Sequence, residues 1–130
     1  MPVEIPVPPS ANHLWRSITR RTRSGGSKTF VVMSKQYKSW LEEAVLLLKC
    51  GLSKPTSYPV CIRITIHGGK GWRCDRDLDN ATKGVVDAVK HAGRIVDDST
   101  TYVTRIELEY RPPESKKSQS RCVVELLERS

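Results

Sequence analysis

The chain has 130 residues, a length typical of one domain with one hydrophobic core, and we predict a single domain over residues 1–130. Its 22 Lys and Arg against 14 Asp and Glu give a net charge of +8, which indicates a polyanionic partner such as nucleic acid. The apolar runs are too short to span a bilayer and the N-terminus lacks signal-peptide features, so we expect a cytosolic protein without membrane contact.

The four cysteines and three histidines are scattered singly along the chain, without a CxxC pair. This spacing argues against a structural zinc site. In a reducing compartment the thiols are expected to be free and partly buried.

The N-terminal third predicts a strand followed by a β-hairpin. Residues 3–7 form the short strand, which ends at the Pro-rich turn "PPSAN". Two alternating segments then flank Gly25-Gly26, a hairpin signal. The basic residues of the hairpin are Arg16, Arg20, Arg21, Arg23 and Lys28. They are candidate contacts with DNA phosphates, and a solvated loop is the equal alternative.

The middle of the chain predicts a helix and a strand. Ser34 is the expected N-cap of a helix with one apolar face, and Gly51 is the expected C′ residue that ends it. Residues 60–66 alternate between apolar and other side chains, which predicts a half-buried strand.

The C-terminal half predicts a second helix over residues 77–93, terminated by Gly93, and two further strands at residues 100–112 and 121–128. The apolar face of this helix consists of Ala81, Val85, Val86 and Val89. The full order of elements is β, ββ, α, β, α, β, β. It predicts an α/β chain of the α+β type, with a mixed β-sheet and two main helices packed on one face.

Three carboxylates, those of Asp75, Asp77 and Asp79, lie close together in this basic chain. Their mutual repulsion is unfavourable unless a cation offsets it, and oxygen-rich sites suit Mg²⁺ or Mn²⁺. Residues two apart in an extended segment point to the same side, so Asp77 and Asp79 can face one cation. Asp97-Asp98, at the entrance to the next strand, can supply a third carboxylate.

Basic side chains flank this acidic cluster. Arg73 and Arg76 can hold a phosphate against the metal, while Lys83 can stabilise the charge that develops during phosphodiester hydrolysis. Two alternatives need no metal. Asp79 or Asn80 can cap the helix, and Asp79, Lys83 and Asp87 can form a solvated ladder of ion pairs.

Two segments resemble the RusA-type Holliday junction resolvases: "RDLDNATKGVVDAVKHAGRIVDDSTTYV", with a D-x-D-N-x-x-K pattern followed by D-D, and "PVPPSANHLWR" near the N-terminus. The resemblance runs from the first strand to about Val103. It implies that the metal ligands are Asp77, Asp79 and Asp98 and that Lys83 is the catalytic lysine. It places Asn80, Asp87 and Asp97 around them in supporting positions.

The resemblance also implies a homodimer with two active sites. Such an enzyme would hydrolyse phosphodiesters in pairs at four-way DNA junctions with Mg²⁺, or with Mn²⁺ as a substitute, and would act in recombination and repair in a bacterial or phage-infected cytosol. Many such enzymes come from phages or prophages. Asp75 is not required by the pattern and is expected to neutralise Arg73 or Arg76. The alternatives are a noncatalytic basic DNA-binding protein and a nuclease for other branched DNA.

Overall fold

The computed structural model describes residues 2–10 and 15–128. Its elements in chain order are β1 (Val3–Ile5), β2 (Trp15–Arg21), β3 (Ser27–Met33), α1 (Lys35–Gly51), β4 (Val60–His67), a 3₁₀ helix (Leu78–Ala81), α2 (Thr82–His91), β5 (Val103–Arg111) and β6 (Arg121–Glu128). The predicted order of strands and helices is therefore confirmed. No helix in the described ranges has both the length and the apolar character needed to cross a membrane.

The central sheet has four strands in the order β1-β6-β4-β5. β4 and β5 are parallel, and α2 forms the crossover between them, as a parallel pair requires. β6 returns between β1 and β4 and is antiparallel to both. β2 and β3 form a separate hairpin. The prediction of a mixed sheet with two helices is therefore confirmed.

The inner strand β4 buries the predicted apolar face completely, and its second face is more buried than the prediction of a half-buried strand implies. Cys61 and Thr65, on the face away from Ile62 and Ile64, are buried as well. The reason is position: β4 lies between β5 and β6, whose side chains flank its second face. Only Arg63 on this strand is exposed among the described residues, and it pairs with carboxylates of both neighbouring strands.

Helix α1 begins as predicted but ends differently. The Ser34 hydroxyl accepts a hydrogen bond from the Tyr37 amide at 3.1 Å, which confirms the N-cap. Gly51 is still helical, and the C-cap is Leu52 in an extended conformation, so the C′ assignment is wrong. A Cβ at position 51 would lie 2.8 Å from a methyl group of Val3. The glycine at this position therefore allows β1 to approach the helix.

The predicted second helix is divided at its start. Asp77 is extended, residues 78–81 form the 3₁₀ helix, and α2 itself begins at Thr82. Gly93 has a φ of +68°, which confirms that it ends the helix. The predicted buried face of this helix is also confirmed. The N-cap of α2 is Ala81, so the alternative in which Asp79 or Asn80 caps the helix is wrong.

Candidate active site

The N-terminal segment of residues 6–10, named here the N-terminal strap, is fastened to the helices by its backbone carbonyls. The Trp40 indole donates a hydrogen bond to the Pro6 carbonyl at 2.7 Å, and the Arg76 guanidinium donates one to the Pro8 carbonyl at 2.7 Å. A Cβ on Gly84 would lie 3.2 Å from the Cβ of Pro8, so glycine at this position of α2 leaves room for the strap. The "PPS" residues are thereby held beside the "DLDN" segment.

Arg76 connects the strap to the loop before the 3₁₀ helix through contacts with Pro8 and Trp72. Its guanidinium carbon lies 4.3 Å from the ring centroid of Trp72, in addition to the bond to Pro8. Burial lowers the pKa of the Arg76 guanidinium, and its Nε has no hydrogen-bond partner within residues 2–10 and 15–128. These contacts direct the side chain into the protein, and its assignment as a DNA contact stays a prediction.

Arg73 and Asp75 form an exposed ion pair on the same loop. The Arg73 guanidinium donates to the Asp75 carboxylate at 2.9 Å, and the Arg73 side chain is 83% exposed. Asp75 therefore neutralises Arg73, one of the two partners expected for it. An exposed pair of this kind stabilises a protein by about 0–1 kcal/mol, so Arg73 can exchange its partner for a phosphate at small cost.

A cleft of about 730 Å³ lies between the strap, α1 and the loop before the 3₁₀ helix. Ser10, Asp77 and Asn80 line it together, so the structure places the two sequence segments that carry the resemblance on one surface. The Asn80 backbone amide donates a hydrogen bond to the Asp77 backbone carbonyl at 3.2 Å, which closes the turn between these two residues.

The carboxylates of Asp77 and Asp79 make no ion pair or hydrogen bond with any residue that the structure describes. Asp77 is extended but Asp79 lies within the 3₁₀ helix, so the prediction that one extended segment carries both acids is wrong. The two acids are nevertheless separated by a single residue at the start of the α2 region. They are therefore oxygen donors that no described cation of the protein neutralises.

The second acidic pair is neutralised by the protein itself. The Lys90 ammonium lies 3.1 Å from an Asp97 carboxylate oxygen and 3.7 Å from one of Asp98. The hydrogen bond from Lys90 lowers the pKa of Asp97, and the same bond raises the pKa of Lys90. Sequence reasoning missed Lys90. The available signal was a lysine in the last helical turn, followed by a glycine reversal and two acids.

No group of three or more His, Cys, Asp or Glu side chains within the described ranges is arranged to hold a metal ion. β5, the strand that follows Asp97-Asp98, does contact the 3₁₀ helix that carries Asp79. The assignment of Asp77, Asp79 and Asp98 as the ligands of one ion stays a prediction.

Lys83 and Asp87 lie on successive turns of α2. The Lys83 ammonium is 3.7 Å from an Asp87 carboxylate oxygen, so the Lys83–Asp87 pair of the predicted ion-pair ladder is present. Within the described residues, Asp79 does not join it. The Asp87 carboxylate also accepts a hydrogen bond from the Tyr37 hydroxyl at 3.2 Å. Sequence reasoning recognised Tyr37 only as part of the apolar face of α1.

The sequence profile of the family described as Endodeoxyribonuclease RusA matches residues 5–126. The chain belongs to the RusA endodeoxyribonuclease family. The match includes the strap, both acidic segments and all of α2, and it confirms the resemblance on which the site assignment rests. Comparison with curated proteins gave no match. Family membership classes the chain as an enzyme that cuts DNA internally.

The hairpin of this RusA-family chain has the predicted turn. Gly25 has a φ of +85°, and the Thr22 amide donates to the Gly26 carbonyl at 2.8 Å. Arg21 and Arg23 are exposed near the tip. The side chains of Arg16, Arg20 and Lys28 lie outside the described part of the chain. The assignment of the hairpin as a DNA-backbone contact stays a prediction.

Proposed function

We propose that this chain is a Mg²⁺-dependent endodeoxyribonuclease that resolves four-way DNA junctions by paired phosphodiester hydrolysis. The observation that supports the proposal is the pair of carboxylates without a described partner in a RusA-family chain: Asp77, which lines the cleft beside the strap, and Asp79, two residues later. Exposed carboxylates without a basic partner are ordinary at a protein surface, so what distinguishes Asp77 and Asp79 is that they are separated by a single residue in the segment that the RusA profile matches. These two have none among the described residues, whereas Asp75, Asp87, Asp97 and Asp98 each have one.

The donor chemistry fits a hard divalent cation. Asp77 and Asp79 would hold Mg²⁺, or Mn²⁺ in its place, through carboxylate oxygens, with Asp98 as the third ligand. Asn80 and Asp97 lie next to these ligands in the sequence and would support them. When bound, the cation would supply Lewis acidity toward the phosphodiester oxygens.

The protein side chains bring the substrate to this site. Lys83 presents a positive charge one helical turn beyond Asp79 and would stabilise negative charge that develops on the phosphate. Arg73, exposed at the mouth of the cleft, can exchange Asp75 for a backbone phosphate. The basic hairpin would contact further phosphates.

A homodimer suits this substrate. A four-way junction has approximate two-fold symmetry, and a C₂ dimer presents two equivalent sites to it. Paired cuts on opposing strands then follow from symmetry rather than from two different sites on one chain. Sedimentation across a concentration series tests this part of the proposal, and a monomer at the concentrations used for cleavage would contradict it.

Cleavage of an end-labelled four-way junction tests the main proposal. We expect symmetric nicks with Mg²⁺ or Mn²⁺ and none with excess EDTA, while binding persists in both conditions. Linear duplex and a three-way branch are the matched substrates that separate junction resolution from cleavage of other branched DNA. Binding without cleavage at every metal concentration would instead support a noncatalytic DNA-binding protein. Affinity should fall steeply with salt in either case, because phosphate contacts release counterions.

A further inference from the structure

The hydroxyl of Tyr37 is fixed in direction by its surroundings. The Tyr37 side chain is only 1% exposed, and its ring stacks on Trp40 at a centroid distance of 6.0 Å. A buried phenol hydroxyl without a partner would be unfavourable, and this one donates to the Asp87 carboxylate at 3.2 Å. Since a packed aromatic ring has few rotamers, the carboxylate that accepts this bond is held from inside the protein.

The same carboxylate oxygen of Asp87 faces Lys83. Oδ2 accepts from the Tyr37 hydroxyl and lies 3.7 Å from the Lys83 ammonium, a distance for an ion pair rather than a direct hydrogen bond. Exposure increases along this series: Asp87 is 23% and Lys83 61% exposed. A rigid internal donor therefore fixes a half-buried anion, and this anion attracts a flexible cation at the surface.

Helix stability is a weak reason for this arrangement. An (i, i+4) ion pair contributes about 0.3–0.5 kcal/mol, and the order with the basic residue first is the less favourable one with respect to the helix dipole. Lys90, three residues after Asp87, forms its ion pairs with Asp97 and Asp98, and the charge of Asp87 contributes less than theirs to the raised pKa of Lys90. The arrangement is better explained by what it does to the position of the Lys83 ammonium.

We propose that Tyr37 and Asp87 form a positioning pair that holds the Lys83 ammonium in place for phosphodiester hydrolysis. This inference rests on the proposed function, in which Lys83 stabilises charge on the phosphate. A free lysine side chain has four rotatable bonds, and ordering it before the substrate arrives lowers the entropic part of the barrier. Tyr37 and Asp87 themselves touch neither the substrate nor the reacting atoms.

Burial, and then the charge of Asp87, raise the pKa of Tyr37, so its hydroxyl keeps the proton that it donates. The bond to Asp87 therefore persists throughout the pH range in which the enzyme would act.

Two conservative substitutions test the positioning pair by single-turnover cleavage. Tyr37→Phe removes only the hydroxyl, and Asp87→Asn keeps the size of the side chain but removes its charge. We expect the cleavage rate to fall by about threefold to tenfold for Tyr37→Phe and about tenfold to thirtyfold for Asp87→Asn. Junction affinity in EDTA should stay within about twofold, since binding does not depend on the exact place of one ammonium group.

Tyr102→Phe is the matched control. Tyr102 is half-buried and packs its ring edge-on against Tyr58 at 5.1 Å, but no described residue accepts a hydrogen bond from its hydroxyl. The Tyr102→Phe variant should therefore cleave at the wild-type rate. In a Lys83→Ala background, Tyr37→Phe and Asp87→Asn should change the residual rate by less than about twofold, because the group that they position is absent.

The order of the Lys83 side chain can be measured without any cleavage, from ¹³C relaxation of its Cε methylene. We expect less order in Tyr37→Phe and Asp87→Asn than in wild type or Tyr102→Phe. Wild-type rates and unchanged Lys83 order in both variants would overturn the inference. A wild-type protein that does not cleave would contradict the proposed function instead, while the relaxation measurement would still decide whether the pair orders Lys83.

Discussion

The two loops that flank α2 both present acidic side chains, but they keep them in opposite states. At the N-terminal end of the helix, Asp77 and Asp79 lack described partners, while Arg76, their basic neighbour, points inward to Pro8 and Trp72. At the C-terminal end, Asp97 and Asp98 share the ammonium of Lys90.

The two loops therefore differ in how available their carboxylates are to an added cation. The N-terminal loop uses its nearest arginine to bind the Pro8 carbonyl and leaves Asp77 and Asp79 without a described basic partner, which suits the proposed binding of a cation. The C-terminal loop uses a cation of its own, so an incoming metal must compete with Lys90 for Asp98. The N-terminal pair is therefore the expected first point of metal binding, and Asp98 is the proposed third ligand.

The largest effect is expected from removing one unpartnered acid. Asp77→Asn should lower junction cleavage by about 10²–10³-fold, because a ligand for the charge-stabilising cation is lost. Folding by circular dichroism and junction binding in EDTA should be unchanged, since the carboxylate makes no described contact. Asp75→Asn, on the same loop but paired with Arg73, should stay within about fivefold of wild type. Equal losses in the two variants would remove the distinction between paired and unpartnered acids.

A stability comparison of the two arginines tests whether the N-terminal loop is fixed from inside. Arg76→Ala should reduce the free energy of unfolding by about 2 kcal/mol, because it removes a half-buried hydrogen bond and the packing on Trp72. Arg73→Ala should change it by less than about 0.5 kcal/mol, since the ion pair is exposed. Urea denaturation of both variants measures this difference. Similar midpoints would show that Arg76 does not fasten the strap.

Alkaline pH should weaken the framework that carries both loops. Burial raises the pKa of Cys122 to about 12, from an ordinary value of 9.0. Above pH 9 the unfolded chain loses this proton and the folded chain keeps it, so the free energy of unfolding falls by about 1.4 kcal/mol per pH unit up to the folded pKa. Urea denaturation over about three pH units, from pH 8 to 11, measures how steeply the free energy of unfolding falls with pH.

Cys122→Ala is the control for this slope. The variant should be less stable at neutral pH because it leaves a small cavity beside Ile5 and Ile66, but its stability should fall less steeply above pH 9. Identical slopes in wild type and variant would assign the alkaline loss to other groups.

The smallest effect concerns the C-terminal loop. Lys90→Met keeps the apolar stem but removes the ammonium that neutralises Asp97 and Asp98. We expect Mg²⁺ affinity by calorimetry to rise about threefold, because an exposed competing cation is lost. Lys38→Met, an exposed lysine on α1 without a described ion pair, is the charge-matched control. A lower Mg²⁺ affinity in Lys90→Met would mean that Lys90 orients the Asp98 carboxylate for the metal rather than competes with the metal for it.

The sequence predicted the elements well where the signal is local. The Ser34 cap, the hairpin at Gly25-Gly26 and the helix end at Gly93 all depend on neighbouring residues, and each is confirmed. The burial of Cys61 and Thr65 on the second face of β4 was not predictable in the same way, because it depends on β6 returning from the far end of the chain.

The candidate site was predictable as a set of residues rather than as an arrangement. The spacing of Asp77, Asp79 and Lys83 identified the acidic segment and its lysine. The attachment of the strap passes through the backbone carbonyls of Pro6 and Pro8, which no side-chain pattern encodes. The inward direction of Arg76 and the hydroxyl bond of Tyr37 likewise depend on packing between distant elements.

The attachment of the strap also makes the tryptophan fluorescence of the protein sensitive to the position of residues 6–10. Trp40 and Trp72 are both nearly inaccessible to water, one bonded to the Pro6 carbonyl and the other covered by the Arg76 guanidinium. Release of residues 6–10 would wet both indoles and shift their emission to longer wavelength. In a Trp15→Phe background, fluorescence would therefore report in real time whether DNA leaves the N-terminal segment docked or lifts it away.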